Sequence, residues 1–438
     1  MTTVNPAGWP LVRLGDYVKV VAGPAFKSAE FVEGEEHVRL LRGDNVIQGR
    51  LRWDGVKRWA GDVQERYHLQ EDDVVIAMDR PWIEAGLKWA WIQKQDLPAY
   101  LVQRVARLRA TEGLDQKFLR YVIASPDFTA YIKPIVTGAT VPHISGGQIE
   151  AHRFPVPPLP TQRKIAAILS AYDDLIENNT RRVRVLEEMA RALYREWFVE
   201  FRFPGHEQAE FVEDEQGRRP KGWVVQTVAQ TFSILGGATP SKAEPEFWEG
   251  GDINWYTPSD ITKSGRVYQD ESQALITFKG LSRSSATLFP AYSVMMTSRA
   301  TIGAIGINTT PATVNQGFIV GLPNERFPLQ VMRQWFAANV EQFIGLASGA
   351  TFKEISKSTF KAINVVVPPA ELVHRFEAAA ATWGRAVENL ERRNANLRRT
   401  RDLLLPRLVS GELDVSALNV RGPGLETEDE QTREEAVA

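Results

Sequence analysis

Apolar side chains recur every four and three residues along two stretches of this chain, the spacing that holds one stripe of a helix against a partner helix. The first stripe runs Ile165, Leu169, Tyr172, Ile176, Asn179, Val183, Leu186, Ala190, Leu193, Trp197. The second runs Phe376, Ala380, Trp383, Val387, Leu390, Asn394, Leu397, Arg401, Leu404, Leu408, with one charged residue in it. Each follows a proline-rich stop, PVPPLPTQ and VVPPAE, and proline is tolerated just before a helix or in its first turn. Some forty residues at 1.5 Å each make a helix of roughly 60 Å. A striped helix is unstable alone in water, so the two are expected to pair. Asn179 and Asn394 are polar positions within the stripes, which either fix the register of the pair or are simply tolerated there.

Shorter patterns fill the rest. HVRLLRGDNV, DDVVIAMD, KWAWIQ and AYLVQRVARLRA read as strands bounded by turns. A helix is expected from residue 117 to about 132, and a counterpart from about 329 to 343. The chain also repeats itself. VTGATVPHISGGQIEAHRFPVPPLPTQRKI, from Val136, matches ASGATFKEISKSTFKAINVVVPPAELVHRF, from Ala347, without a gap. That offset of 211 continues through the stripes, pairing Glu177 with Glu388 and Leu186 with Leu397. Upstream, GWPLVRLGDYVKVVAG from Gly8 corresponds to GWVVQTVAQTFSILGG from Gly222 at an offset of 214. Arg80, in MDRPW, and Arg299, in TSRAT, read as matching positions after a strand.

The expected fold class is α+β, with two tandem domains at residues 1–157 and 222–367. Long helices follow at 158–203 and 368–413, with a linker at 204–221 and a tail at 414–438. The second domain starts near the end of the first helix and finishes near the start of the second. Antiparallel coiled-coil pairing and a dumbbell with approximate two-fold symmetry follow from those connections.

Composition narrows the function classes. The 438 residues are 43% hydrophobic and 24% charged, as in a globular chain of several domains. No apolar run reaches the eighteen or so residues of a membrane span, and MTTVNPAGWPLVRLGDY lacks a basic stretch followed by an apolar one, so a cytoplasmic location is expected. The absence of cysteine excludes disulfides and thiol chemistry, and the six histidines show no metal-ligand spacing. The formal charge of −2 hides an uneven distribution. Residues 425–438 and 206–216 hold eleven of the 54 acidic residues, and without them 51 basic face 43 acidic residues. A mildly basic body is compatible with a duplex, although ordinary solvated surface has the same look. The acidic tail is expected to be disordered.

Duplicated units, proline stops and striped helices together resemble the specificity subunit of type I restriction-modification systems, from Gly8 to about Leu413. TQRKIAAILSAYDDLIENNTRRVRVLEEMARALYREWFVEF, from Thr161, resembles the family's central conserved region throughout. GGATPSKAEPEFWEGGDINWYTPSDI, from Gly236, resembles the opening of a recognition domain, and TSRATIGAIGI and NQGFIV resemble its later strands. LRRTRDLLLPRLVSGELDV resembles the second conserved region. The sequence departs from the family pattern at Thr161, where an acidic residue is usual, and in the AELVH start of the second helix. The resemblance implies a non-catalytic subunit that reads a bipartite, asymmetric site in double-stranded DNA, one half per domain, with a spacer set by the helices. It further implies two methylating subunits using S-adenosylmethionine to modify adenine, and two motor-nuclease subunits using ATP and Mg.

Contacts to DNA would come from basic and polar side chains on domain loops, arginine suiting guanine and Asn or Gln suiting adenine. The candidates are Arg42, Arg50, Arg52, Lys57, Arg58, Arg80, Lys88 and Thr140 in the first domain. In the second they are Lys242, Lys263, Arg266, Arg283, Arg299 and Thr351. Arg80 and Arg299 lead, with a structural ion pair as the competing role. Gly138, Ala139 and Thr140, like Gly349, Ala350 and Thr351, begin the return toward the helix. No NPPY-type methyltransferase loop is present, GGATPSK lacks the second glycine of a phosphate loop and reads as a turn, and the Pro126 and Asp127 pair has no nuclease partner motif. A fused methyltransferase would need a catalytic domain. A coiled-coil adaptor binding only protein is the other alternative, and a shared frame with divergent domain interiors argues against it.

Overall fold

The computed structural model describes residues 5, 7–136, 142–215, 217–349 and 353–420. Thr140, Thr351 and the acidic tail from residue 421 lie outside the described residues. The chain divides into two units, residues 1–176 with 396–438, and residues 177–395.

In the first unit the apolar run in DDVVIAMD becomes the strand Val74–Ala77, buried along its whole length. It lies inside an antiparallel sheet ordered Trp89–Trp91, Val74–Ala77, Val105–Ala110, Val18–Ala22. Alternation along the strand feeds two cores. Val74 and Ile76 pack with the helices, while Val75 and Ala77 pack toward Leu41, Ala99 and Leu101 of a second sheet. That sheet is ordered Ala99–Leu101, Val38–Leu41, Lys57–Trp59, its first two strands parallel. The second unit repeats the scheme. Its larger sheet runs Ser233–Gly236, Phe318–Leu322, Val294–Thr297, Ile305–Asn308, Tyr268–Gln269, and its smaller one Ala274–Ile276, Ile253–Tyr256, Ala312–Val314. Val294 and Met296 face the helical core, and Met295 faces Tyr256 and Val314.

Each expected domain helix is broken in two. Gln116–Ala124 stops at Ser125, and Pro126–Val136 restarts at once because proline has no N–H to continue the first helix and suits the opening turn of a new one. Leu329–Ala338 ends at Asn339, whose side chain donates to the Trp335 carbonyl at 2.7 Å, before Val340–Leu346.

The returning segments pair with the domain starts, Arg153–Pro155 with Leu11–Arg13 and Asn364–Val367 with Val224–Thr227. The long helices follow as Leu159–Tyr194 and Ala370–Val409. They run antiparallel within each unit. In the first, Ile165 and Leu169 share a core with Leu405, Leu408 and Val409, and Arg401 donates to Asp173 at 2.6 Å. In the second, Asn179 donates to Asn394 at 2.9 Å, and the Tyr194 ring lies 5.8 Å from that of Phe376.

Buried polar groups fasten each domain to its helices. Gln162 is fully buried, accepts from the Asp115 N–H at 2.8 Å and donates to the Gly113 and Pro157 carbonyls at 3.0 and 2.8 Å. In the second unit Glu391 accepts from the Val267 and Tyr268 N–H groups at 2.8 and 2.9 Å, and Glu377 from those of Gln330 and Val331 at 3.0 and 3.2 Å. Burial pushes both carboxyls above the usual carboxylate range, with the backbone N–H bonds opposing it.

Candidate nucleic-acid interface

Three turns meet at one edge of the sheets in each unit. The first turn leaves the strand Val38–Leu41, where Asn45 accepts from the Arg42 N–H at 3.0 Å; its counterpart leaves Ile253–Tyr256, where Asp260 accepts from Thr257 at 2.7 Å. The second leaves Val74–Ala77 or Val294–Thr297, and the third enters Val105–Ala110 or Phe318–Leu322. Met78 N–H donates to the Arg104 carbonyl at 2.8 Å, as Ser298 does to Gly317 at 2.8 Å. The third turn is hemmed in by a glycine in each unit. A Cβ on Gly23 would lie 2.4 Å from Val102 backbone atoms, and one on Gly237 would lie 1.9 Å from the Val314 oxygen. The second glycine of GGATPSK, Gly237, is thus a close backbone approach, which only glycine permits.

These bonds correct one expectation. Arg80 N–H donates to Pro142 at 2.9 Å and has a φ of 44°; Ala300 N–H donates to Lys353 at 3.0 Å and has a φ of 62°. Asp79 bridges His143, and Arg299 bridges Glu354. Arg299 therefore matches Asp79, and Arg80 matches Ala300, one residue from the pairing expected of two arginines in similar strings. The polarity of the corner is reversed between the units. Asp79 accepts from His143 at 2.5 Å and from Arg104, whereas Arg299 is the cation, 3.8 Å from Glu354. Burial raises the Asp79 carboxyl, but the hydrogen bonds from His143 and Arg104 outweigh it and hold the group below the usual carboxylate range.

The side chains at the two corners differ accordingly. In the first unit Arg42, Arg52, Arg80, Lys88 and Arg104 are set against Asp44 and Asp79. Lys88 is 7% exposed, and burial pushes its ammonium below the usual lysine range, with Arg52 and Arg80 adding to the shift and Asp44 opposing it. In the second unit Pro258, Arg299, Ala300, Thr301, Asn315, Gln316 and Gly317 line an open cleft of about 330 Å³. One corner is strongly basic, and the other is near-neutral and largely apolar, with a single paired arginine. The two corners therefore present different side-chain chemistry on the same backbone frame.

The model of the family described as "Type I restriction modification DNA specificity domain" matches residues 6–188 and 220–373. The chain belongs to this family. The MjaIX specificity subunit of Methanocaldococcus jannaschii is 30% identical over 200 residues, 45% of this chain and 45% of that one. The HindI specificity subunit of Haemophilus influenzae is 25% identical over 360 residues, covering 68% of this chain and 77% of that one. The match thus spans less than half of the first relative's length and about three quarters of the second's. The crystal structure of a type I restriction-modification S subunit from M. genitalium shares the fold, with a TM-score of 0.56 at 14% identity over 93% of this chain and 98% of that one.

The other candidate residues of this specificity-family chain are spread out. Arg50 is exposed on the small hairpin beside the first corner, and Lys57 is exposed on an edge strand. Arg58 is held by the His37 and Glu35 carbonyls at 2.7 and 3.3 Å. Lys242 and Lys263 are exposed. Arg266 is bound to Asp270 at 2.6 Å, which Arg392 of the long helix shares at 3.0 Å, so its guanidinium has a structural partner. Arg283 follows a strand that runs away from the corner, since Ala274 pairs with Trp255 and Ile276 with Ile253. On the helix stripes Ile165, Leu169, Ile176, Asn179, Ala190, Phe376, Ala380, Val387, Leu390, Asn394 and Leu408 are buried. Tyr172, Val183, Leu186, Leu193, Trp197, Trp383, Leu397 and Leu404 are half-buried. Leu175 and Leu403 in the first unit, and Val185 and Met189 in the second, leave apolar side chains exposed. Among the described residues no group of three or more His, Asp or Glu could hold a metal ion, and no helix is long and apolar enough to cross a membrane. Sequence reasoning missed Gln103 and Gln316 at the third turns, and the carboxylates Glu377 and Glu391.

Proposed function

We propose that this chain is the DNA-reading specificity subunit of a type I restriction-modification complex, non-catalytic by itself, with each domain reading one half of a split, asymmetric site. The domains are assigned to residues 1–157 and 222–367. The observation that carries the reading is a single hydrogen-bonded corner built twice on one topology and furnished with different side chains. A reader of two unequal half-sites needs a constant frame and variable contacts. Arg80 in the first domain and Arg299 in the second are the proposed base readers, arginine being suited to guanine O6 and N7. Arg42, Arg52 and Lys88 supply the positive field that draws in the phosphate backbone. The exposed apolar positions on the long helices support docking of two methylating subunits, which would supply S-adenosylmethionine and flip the target adenine. Two motor-nuclease subunits using ATP and Mg would complete the assembly.

The test is the affinity for duplex DNA of the chain copurified with its methylating subunit, measured as salt rises. Log affinity should fall linearly with log salt, Arg80→Ala should relax one base of one half-site, and Arg299→Ala one base of the other. Each mismatch is expected to be worth about 1–3 kcal/mol. A complex that binds no duplex at any salt would leave the adaptor alternative standing.

A further inference from the structure

The three turns of each corner can be matched residue by residue through their backbone hydrogen bonds, because Met78 to Arg104 in the first unit repeats as Ser298 to Gly317 in the second. Across that match the side chains differ at every position but one. Asp79 stands opposite Arg299 and Arg80 opposite Ala300, while Gln103 and Gln316 are identical. Two domains that read different base sequences have different base edges in front of them. What every half-site shares is its sugar-phosphate backbone. The group that both corners retain is therefore matched to the part of the ligand that does not vary.

The chemistry of the two glutamines agrees. Both are exposed, on a turn fixed by backbone bonds and by the close approach of Gly23 or Gly237. The Gln103 side-chain amide makes no hydrogen bond among the described residues, while its backbone N–H donates to the Pro24 carbonyl at 2.8 Å. The Gln316 oxygen accepts from the Thr239 hydroxyl at 2.7 Å, which orients the amide and leaves its two N–H donors for the cleft. A neutral donor works beside Asp79 in one corner and beside Arg299 in the other, where a fixed charge would suit only one.

We propose that Gln103 and Gln316 are equivalent DNA-phosphate contacts, one per domain, each donating an amide N–H to a non-bridging phosphate oxygen whatever the base sequence. The inference rests on the DNA-reading function proposed above.

The experiment uses the full chain in complex with its methylating subunit and two fluorescent duplexes, one carrying the mapped split site and one with both halves scrambled. Gln103→Ala and Gln316→Ala should each weaken both duplexes by the same factor, about tenfold for a hydrogen bond to a charged group. The methylated motif should stay unchanged, and so should the salt slope, since a neutral amide releases no counterion. Gln316→Glu should bind more weakly than Gln316→Ala, because a carboxylate would face the phosphate. A methylphosphonate at the contacted phosphate should weaken the wild type and leave the alanine variant indifferent. Loss confined to the cognate duplex, with one base of the motif relaxed, would make these residues base readers and overturn the proposal. Unchanged binding in folded variants, judged by their thermal unfolding, would overturn it as well. If the wild-type complex marks no site and binds neither duplex, the function itself falls, an outcome distinct from either of these.

Discussion

His152 shows how a single side chain couples the first domain to its solvent. It is 4% exposed, with its ring 5.0 Å from those of Phe128 and Tyr131, and burial pushes its pKa down to about 4. The unfolded chain binds this proton near the ordinary value of about 6.5, so protonation favours unfolding. Stability from this residue is fully present above that value and is lost as pH falls from 6.5 toward 4, by about 3 kcal/mol in all. Chemical unfolding of the wild type should weaken over that window, and His152→Phe should flatten the dependence; an unchanged slope would place the acid sensitivity elsewhere. At the same scale a one-dimensional pattern can mislead. Arg80 and Arg299 looked equivalent because both are arginines soon after an apolar strand, but backbone hydrogen bonds match Arg299 to Asp79. Gln103 and Gln316 are not evident as a pair in the sequence because VQRV and NQGF sit in loops of unequal length, and only strand register within each unit shows their positions to be equivalent.

Among the elements, the long helices were legible because a heptad stripe and a proline stop are local signals. The break of each domain helix was not, since an apolar pattern runs through Ser125 and Asn339 alike and only Pro126 marks the first. Nor does periodicity point to Glu391, an acid on an amphipathic helix whose role depends on the backbone at the start of the distant strand Tyr268–Gln269. Glu391→Ala would strand the Val267 and Tyr268 N–H groups and should cost about 2–4 kcal/mol in the second unit, read by urea unfolding. A loss no larger than that of an exposed Glu→Ala would contradict the tie. Asn179 and Asn394 form a hydrogen-bonded polar layer, and the offset of 211 puts Leu390 and Val183 at the related positions, so the layer occurs once. Replacing both with leucine should raise stability by about 1–2 kcal/mol while admitting other registers or self-association, seen as a broadened profile on a sizing column. A single sharp species would mean that the asparagines are merely tolerated.

The molecule as a whole is a duplication in which frame and contacts have been separated. Topology, helix breaks, glycine approaches and corner hydrogen bonds recur in both units, while the side chains at the corner change from strongly basic to mostly neutral. That division explains why the fold class and the family were readable from repeats and stripes, whereas the contacting residues depended on the register of divergent interiors. The most direct test is to express the chain with its methylating partner in a methylation-free host and map modified bases by single-molecule sequencing. One split motif with unequal halves is expected, and exchanging residues 222–364 for those of another specificity subunit should change one half and leave the other intact. A stable complex that methylates nothing, or an exchange that alters both halves together, would contradict two independent readers on one frame.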